Sequence, residues 1–312
     1  MYYNELYGRG AGVMGKQDIY LNAIRTIYID IYKKINEKYI NVFLCGGVST
    51  NKKCIRDEVR KILESKKIRV LYPEDLFMEI LTSQKSMDLL SLENLLAENS
   101  DIICVLPESP GSLVELGAFT NNKETLNKLF VFIDNLYEKD KSFIIMGPIK
   151  YIRSNKTKER VVFYDNKDVN NGTTKLISNF KKFKRDSKKN EIKITSILGQ
   201  YYFIQLLLYF VNELTNEKML KIMEMIYDTD KYDNKDLNII FYSAIKLLYK
   251  NKFITKNIKE SSIMLTNKGR SYIAEILFDL KINNRIKLYD YVRYGIMLSE
   301  EKEKRTSLEN TI

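Results

Sequence analysis

Histidine is absent from the 312 residues, and only four prolines and three cysteines occur. Without histidine there is no serine–histidine or cysteine–histidine catalysis, and a zinc centre would lack its usual nitrogen ligand. Acid–base work therefore falls to carboxylates, lysines or tyrosines. Cys45, Cys54 and Cys104 show no C-x-x-C spacing and build no disulfide framework; Cys45 and Cys104 sit in apolar, strand-like runs and read as buried thiols. No apolar run reaches the roughly 18 residues of a bilayer span. The longest, "YYFIQLLLYFV" at 201–211, is too short. The start, "MYYNELYGRGAGVMGKQD", has no basic segment followed by an apolar core, so no secretory signal is expected and the cytoplasm is the default location.

Charge is present but uneven. Residues 1–150 hold 20 Lys+Arg and 20 Asp+Glu, whereas residues 151–312 hold 31 and 20, so the whole net charge of +11 lies in the second half. A neutral front half and a basic back half point to a polyanion met by the latter, or to a lysine-rich solvated surface.

Hydrophobic periodicity predicts a helical segment over 1–38, amphipathic from Asp18 to Lys38, then a βα series: "INVFLCGG" (40–47), a helix near 53–66, and "IRVLY" (68–72). It continues with the "PED" turn (73–75), helices near 75–83 and 88–99, "DIICVL" (101–106), a helix near 112–122 and "KLFVFI" (128–133). Such alternation predicts an α/β domain over 39–150, a parallel Rossmann-like (flavodoxin-like) sheet flanked by helices. Ligands of these sheets bind beyond the carboxyl ends of the strands, where "CGG", "PED" and "PESPGS" fall. Residues 151–195 read as a basic connector. Residues 196–300 read as mainly helical, with helices near 216–228 and 235–250, a hairpin, and "MLTNKG" before a final helix, the order of a winged helix-turn-helix. Residues 301–312 read as a flexible tail.

The stretch "PESPGSLVELGAF" (107–119) follows the third strand. Ser112 and Glu115 have the S-x-x-E spacing of a capping box, in which Glu115 only bonds back to the Ser112 amide. The same turn also offers free N–H groups to a ligand, with a carboxylate in the first helical turn. Glu74, Asp75, Glu93 and Glu108 could converge on that edge. In a chain without histidine, clustered carboxylates suit cleavage of a glycosidic bond through an oxocarbenium-like state.

"VFLCGG", "LYPEDLF", "LLSLENLLAENSDIICVLPESPGSLVELGAFTNN" and "KLFVFID" together resemble the N-terminal domain of the nucleoside 2-deoxyribosyltransferase-like effectors of bacterial retrons. The likeness spans roughly residues 40–150 and continues in outline through the winged-helix part. It implies that Glu115, in "VELGAF", is the nucleophile, and that Glu93, eight residues before Asp101, holds the sugar or handles protons, with Asn94 beside it. It also implies a pocket lined by Cys45, Gly46 and Gly47, with Glu74, Asp75, Ser109, Gly111 and Ser112 contributing. The transferases carry an aspartate six residues before the nucleophile, where this chain has Ser109; that departure favours hydrolysis over base exchange, or a different nucleoside-containing substrate. The resemblance further implies a toxic anti-phage enzyme, acting on a nucleotide such as NAD without a cofactor or metal, and held in a complex with the retron reverse transcriptase and its msDNA, a DNA–RNA hybrid. A homo-oligomer or higher assembly stays open. Two other readings remain: a nucleotide-sensing winged-helix DNA-binding regulator without turnover, and a phosphoribohydrolase whose "PGGxGTxxE" motif "PGSLVELG" matches loosely.

Overall fold

In a computed structural model, residues 16–47, 54–72, 100–187, 194–230, 237–257 and 260–309 are described. The chain opens with α1 (Lys16–Thr26), a π-helical stretch (Ile27–Tyr32) and α2 (Lys33–Lys38). There follow β1 (Asn41–Cys45), α3 (Ile55–Ser65), β2 (Arg69–Leu71), β3 (Ile102–Val105), α4 (Pro110–Asn121), α5 (Lys123–Leu126) and β4 (Leu129–Asp134). Next come a π-turn (Ile145–Ile149), α6 (Lys150–Asn155), β5 (Val161–Tyr164), α7 (Val169–Asp186) and α8 (Ile197–Val211). The last elements are β6 (Glu213–Leu214), α9 (Asn216–Asp230), α10 (Leu237–Lys250), β7 (Ile254–Asn257), β8 (Ser262–Leu265), α11 (Asn267–Asp279) and α12 (Arg285–Glu309). Two compact units result, one of residues 35–201 and 233–251, the other of 1–34, 202–232 and 252–312.

The first unit holds a five-stranded, all-parallel sheet in the order β2-β1-β3-β4-β5. Every residue of β1, β3 and β4 is buried, which is why these strands read as unbroken apolar runs. Phe43 meets Phe119 of α4 edge to face at 6.3 Å, and Phe130 meets Phe180 of α7 at 5.0 Å. Gly172 is required where α7 crosses β5, because a Cβ there would lie 2.6 Å from that of Tyr164. At the amino edge Asp101, almost fully buried, accepts from the Asn41 amide at 2.8 Å and its side chain at 2.9 Å, and pairs with Lys184.

The α/β unit therefore extends past residue 150. Where the sequence reads as a basic connector, β5 completes the sheet and α7 covers it through Val169, Leu176, Ile177 and Phe180. A four-residue strand surrounded by lysines has too short an apolar run to stand out.

In the second unit β6, β8 and β7 form an antiparallel sheet, and α11 follows the hairpin with Thr266 as its N-cap, accepting from the Gly269 amide at 3.0 Å. A Cβ at Gly269 would overlap the Phe253 carbonyl. Of the two helices expected ahead of the wing, α9 lies in this unit and α10 in the other. The expected flexible tail is instead helical to Glu309, as its run of Glu, Lys, Arg and Leu, all strong helix formers, explains. No described helix is long and apolar enough to cross a membrane.

Candidate active site

The strand order reverses between β1 and β3, the point at which parallel sheets open a crevice beyond their carboxyl ends. Cys45, Gly46 and Gly47 end β1 there, and Glu108 follows β3. The two strand ends are tied by the Leu106 amide donating to the Cys45 carbonyl at 2.9 Å. Cys45 is buried; a Cβ on Gly46 would approach Arg56 Cδ at 2.9 Å, so this glycine lets the α3 stem close on the strand end.

Glu108 spans the crevice. Its Oε2 accepts from the Gly47 amide at 3.4 Å and its Oε1 from the Ile55 amide at 3.2 Å, so one carboxylate joins the end of β1 to the start of α3. Burial raises its pKa above the usual carboxylate range, against the lowering pull of the Gly47, Arg56 and Ile55 amides and the Arg56 charge. The Arg56 and Arg60 guanidiniums lie 4.3 and 4.6 Å from the Tyr72 ring centre, and the Tyr72 hydroxyl donates to Asp57 at 2.8 Å. Burial first, and Asp57 second, push the Tyr72 hydroxyl well above its ordinary pKa. In the sequence Glu108 shows only as one more acid near the turn; no spacing rule reveals it as a tether.

The capping box is closed by Ser109 and Ser112, not by Ser112 and Glu115. Ser109 is extended (φ −140°, ψ 160°), and its hydroxyl accepts from the Ser112 amide at 3.2 Å. The Ser112 hydroxyl accepts from the Ser109 and Glu108 amides, each at 3.0 Å, and donates to the Ser109 carbonyl at 2.9 Å. The physical reason is Pro110: its fixed φ suits the first helical position, so the helix starts two residues before the sequence expectation and takes Ser109 as cap. The Ser112 amide and hydroxyl are thereby held inside the turn, whereas Gly111 is exposed.

That shift moves Glu115 into the second helical turn. It flanks the face formed by Ser112, Leu116 and Phe119, and its Oε2 is buried with no hydrogen-bond partner among the described residues. A buried, unpaired carboxylate oxygen costs free energy and calls for an explanation. A ligand atom with positive character would supply its missing interaction. Glu74, Asp75, Glu93 and Asn94 lie outside the described residues. Among the described residues no cluster of three or more His, Cys, Asp or Glu side chains could hold a metal ion.

The sequence has relatives among known proteins. The model of the STM3845 retron effector protein family matches residues 52–256. The chain is 31% identical over 284 residues to an Escherichia coli retron Ec86 protein whose name carries the terms ribosyltransferase and DNA-binding protein, covering 88% of this chain and 89% of that one. A similarly named Escherichia coli retron Ec73 protein is 34% identical over 117 residues, 36% of this chain and 37% of that one.

Proposed function

The chain belongs to the STM3845 retron effector family, and from that premise we propose that it is an N-glycosidase in which Glu115 attacks the anomeric carbon of a nucleotide, with NAD as the first substrate to test. The observation that carries this reading is the Glu115 Oε2, buried and without a hydrogen-bond partner among the described residues. The ribosyltransferase term in the relatives' names supports the reaction class.

In the proposed reaction the Glu115 carboxylate bonds to the ribose anomeric carbon as the C–N bond breaks, its electron pair leaving on nicotinamide. Nicotinamide departs neutral, so this step needs no proton donor. Water then adds to the anomeric carbon, the ester bond breaks, Glu115 is regenerated and the proton passes to solvent. Glu93, with Asn94, orients the ribose hydroxyls or relays that proton, while Glu74, Asp75 and the Cys45–Gly47 turn line the pocket. Ser109 serves as helix cap in this chain, so the residue standing where the transferases carry an aspartate has a structural task. The absence of a carboxylate at this position supports hydrolysis over base exchange.

The same proposal gives the protein a role as a toxic effector in anti-phage defence, restrained in a complex with reverse transcriptase and msDNA through its hairpin unit. Incubating the purified protein with NAD and with free nucleosides, and separating the products, tests the reaction class. Release of free nicotinamide or nucleobase is expected. Sequence-specific duplex binding with no base release would favour the DNA-binding regulator, for which the DNA-binding term in the relatives' names speaks.

A further inference from the structure

Beside α4 the α/β unit carries a groove of about 1150 Å³, floored by Gly117, Thr120 and Asn121 and walled by the π-turn and α6. Helical spacing puts residues 117, 120 and 121 on the side of α4 opposite Glu115. Lys123, Lys150 and Lys156 line the groove, and none of its lining residues is acidic among those described. Two aromatic rings also line it. Phe143 is 85% exposed and Tyr151 48% exposed, with Met146 beside them at 52%. The Phe143 ring rests against the turn, 3.6 Å from where a Cβ at Gly147 would lie, an ordinary van der Waals contact. Pro148 sits inside that π-turn, a distortion frequent at functional sites.

From these observations we infer that the groove binds single-stranded nucleic acid, a contact surface on the side of α4 opposite Glu115 and separate from the hairpin unit. Three lysines without a carboxylate match a phosphate backbone, and exposed rings between them supply the faces on which unpaired bases stack. A duplex keeps its base faces covered and cannot use Phe143 or Tyr151 in this way. An apolar side chain as exposed as Phe143 within a cationic groove marks a contact surface. The inference does not rest on the proposed glycosidase activity.

Fluorescence anisotropy of the full chain with a short labelled oligo(dT) tests it, over a series of salt concentrations. Phe143→Ala and Tyr151→Ala are each expected to weaken binding by about tenfold. The combined Lys123→Ala, Lys150→Ala and Lys156→Ala variant should lower the slope of log affinity against log salt by about two, near 0.7 per lost phosphate contact. Lys256→Ala, on the hairpin, reports any contact made there. All these side chains lie at the surface, and thermal melts establish that each variant is folded. A photo-crosslinkable oligonucleotide mapped to the peptide holding Phe143 or Tyr151 would support the groove independently. Absence of oligo(dT) binding, affinity and salt slope unchanged in the groove variants, or equally strong competition by duplex would each overturn the inference. So would groove variants that keep oligonucleotide binding but lose a co-purifying protein, which would make the groove a protein-docking surface.

Discussion

Ser109 and Ser112 cap each other. The Ser109 hydroxyl accepts from the Ser112 amide at 3.2 Å, and the Ser112 hydroxyl accepts from the Ser109 amide at 3.0 Å. This exchange completes the helix cap without Glu115 and leaves that carboxylate with a buried oxygen that has no hydrogen-bond partner among the described residues. Ser109→Ala should therefore lower stability by about 1 kcal/mol, while Ser109→Asp should keep it, since aspartate caps as well as serine. Urea unfolding measures both; equal losses would remove Ser109 from the cap.

Glu108 predicts a pH dependence. Its folded-state pKa is raised, chiefly by burial, so the folded protein holds this proton more tightly than the unfolded chain does. The stabilising contribution is complete below the unfolded pKa of about 4.3 and is lost as pH rises through the raised folded value. Glu108→Gln lacks this titration. Relative to that variant, wild type should gain stability as pH falls through the raised value, and parallel stability–pH curves would contradict it.

The two lysine–carboxylate pairs of α7 should differ sharply. Lys184 pairs with Asp101, whose side chain is 1% exposed, whereas Lys182 pairs with Glu159 at 2.8 Å with both partners about half exposed. Lys184→Ala strands a buried charge and should cost about 3 kcal/mol. Lys182→Ala should cost less than about 1 kcal/mol. Thermal or denaturant unfolding of the two variants makes the comparison.

Glycine positions separate in the same way. Gly269→Ala and Gly172→Ala push a methyl into the Phe253 carbonyl and the Tyr164 side chain, and each should destabilise by roughly 1–3 kcal/mol or more. A Cβ at Gly117 meets nothing within 4 Å, so Gly117→Ala should stabilise α4 by up to about 1 kcal/mol. Calorimetry on the three variants distinguishes them.

Strands β1, β3 and β4 were legible in the sequence because a strand covered on both faces is a continuous apolar run. β5 was not, since "VVFY" is four residues long and stands among lysines and arginines. The helix after β3 was expected two residues late: S-x-x-E spacing pointed to Ser112, while the Pro110 ring and the Ser109 hydroxyl decide the start. Gly47 meets Glu108, but the two amides that donate to Glu108 lie 61 and 53 positions away, which no local pattern encodes. The helical end of α12 was misread because charged residues suit a solvated helix as well as a loose tail.

The central claim is that Glu115 reacts with a nucleotide and takes no part in capping. Nicotinamide release from NAD by Glu115→Gln, measured alongside its unfolding free energy, tests this most directly. Turnover should fall by at least about a thousandfold, as expected for an essential nucleophile, with stability unchanged because no cap bond is lost. Wild-type turnover in the variant, or a loss of activity matched by the roughly 1 kcal/mol loss of a broken cap, would contradict the account.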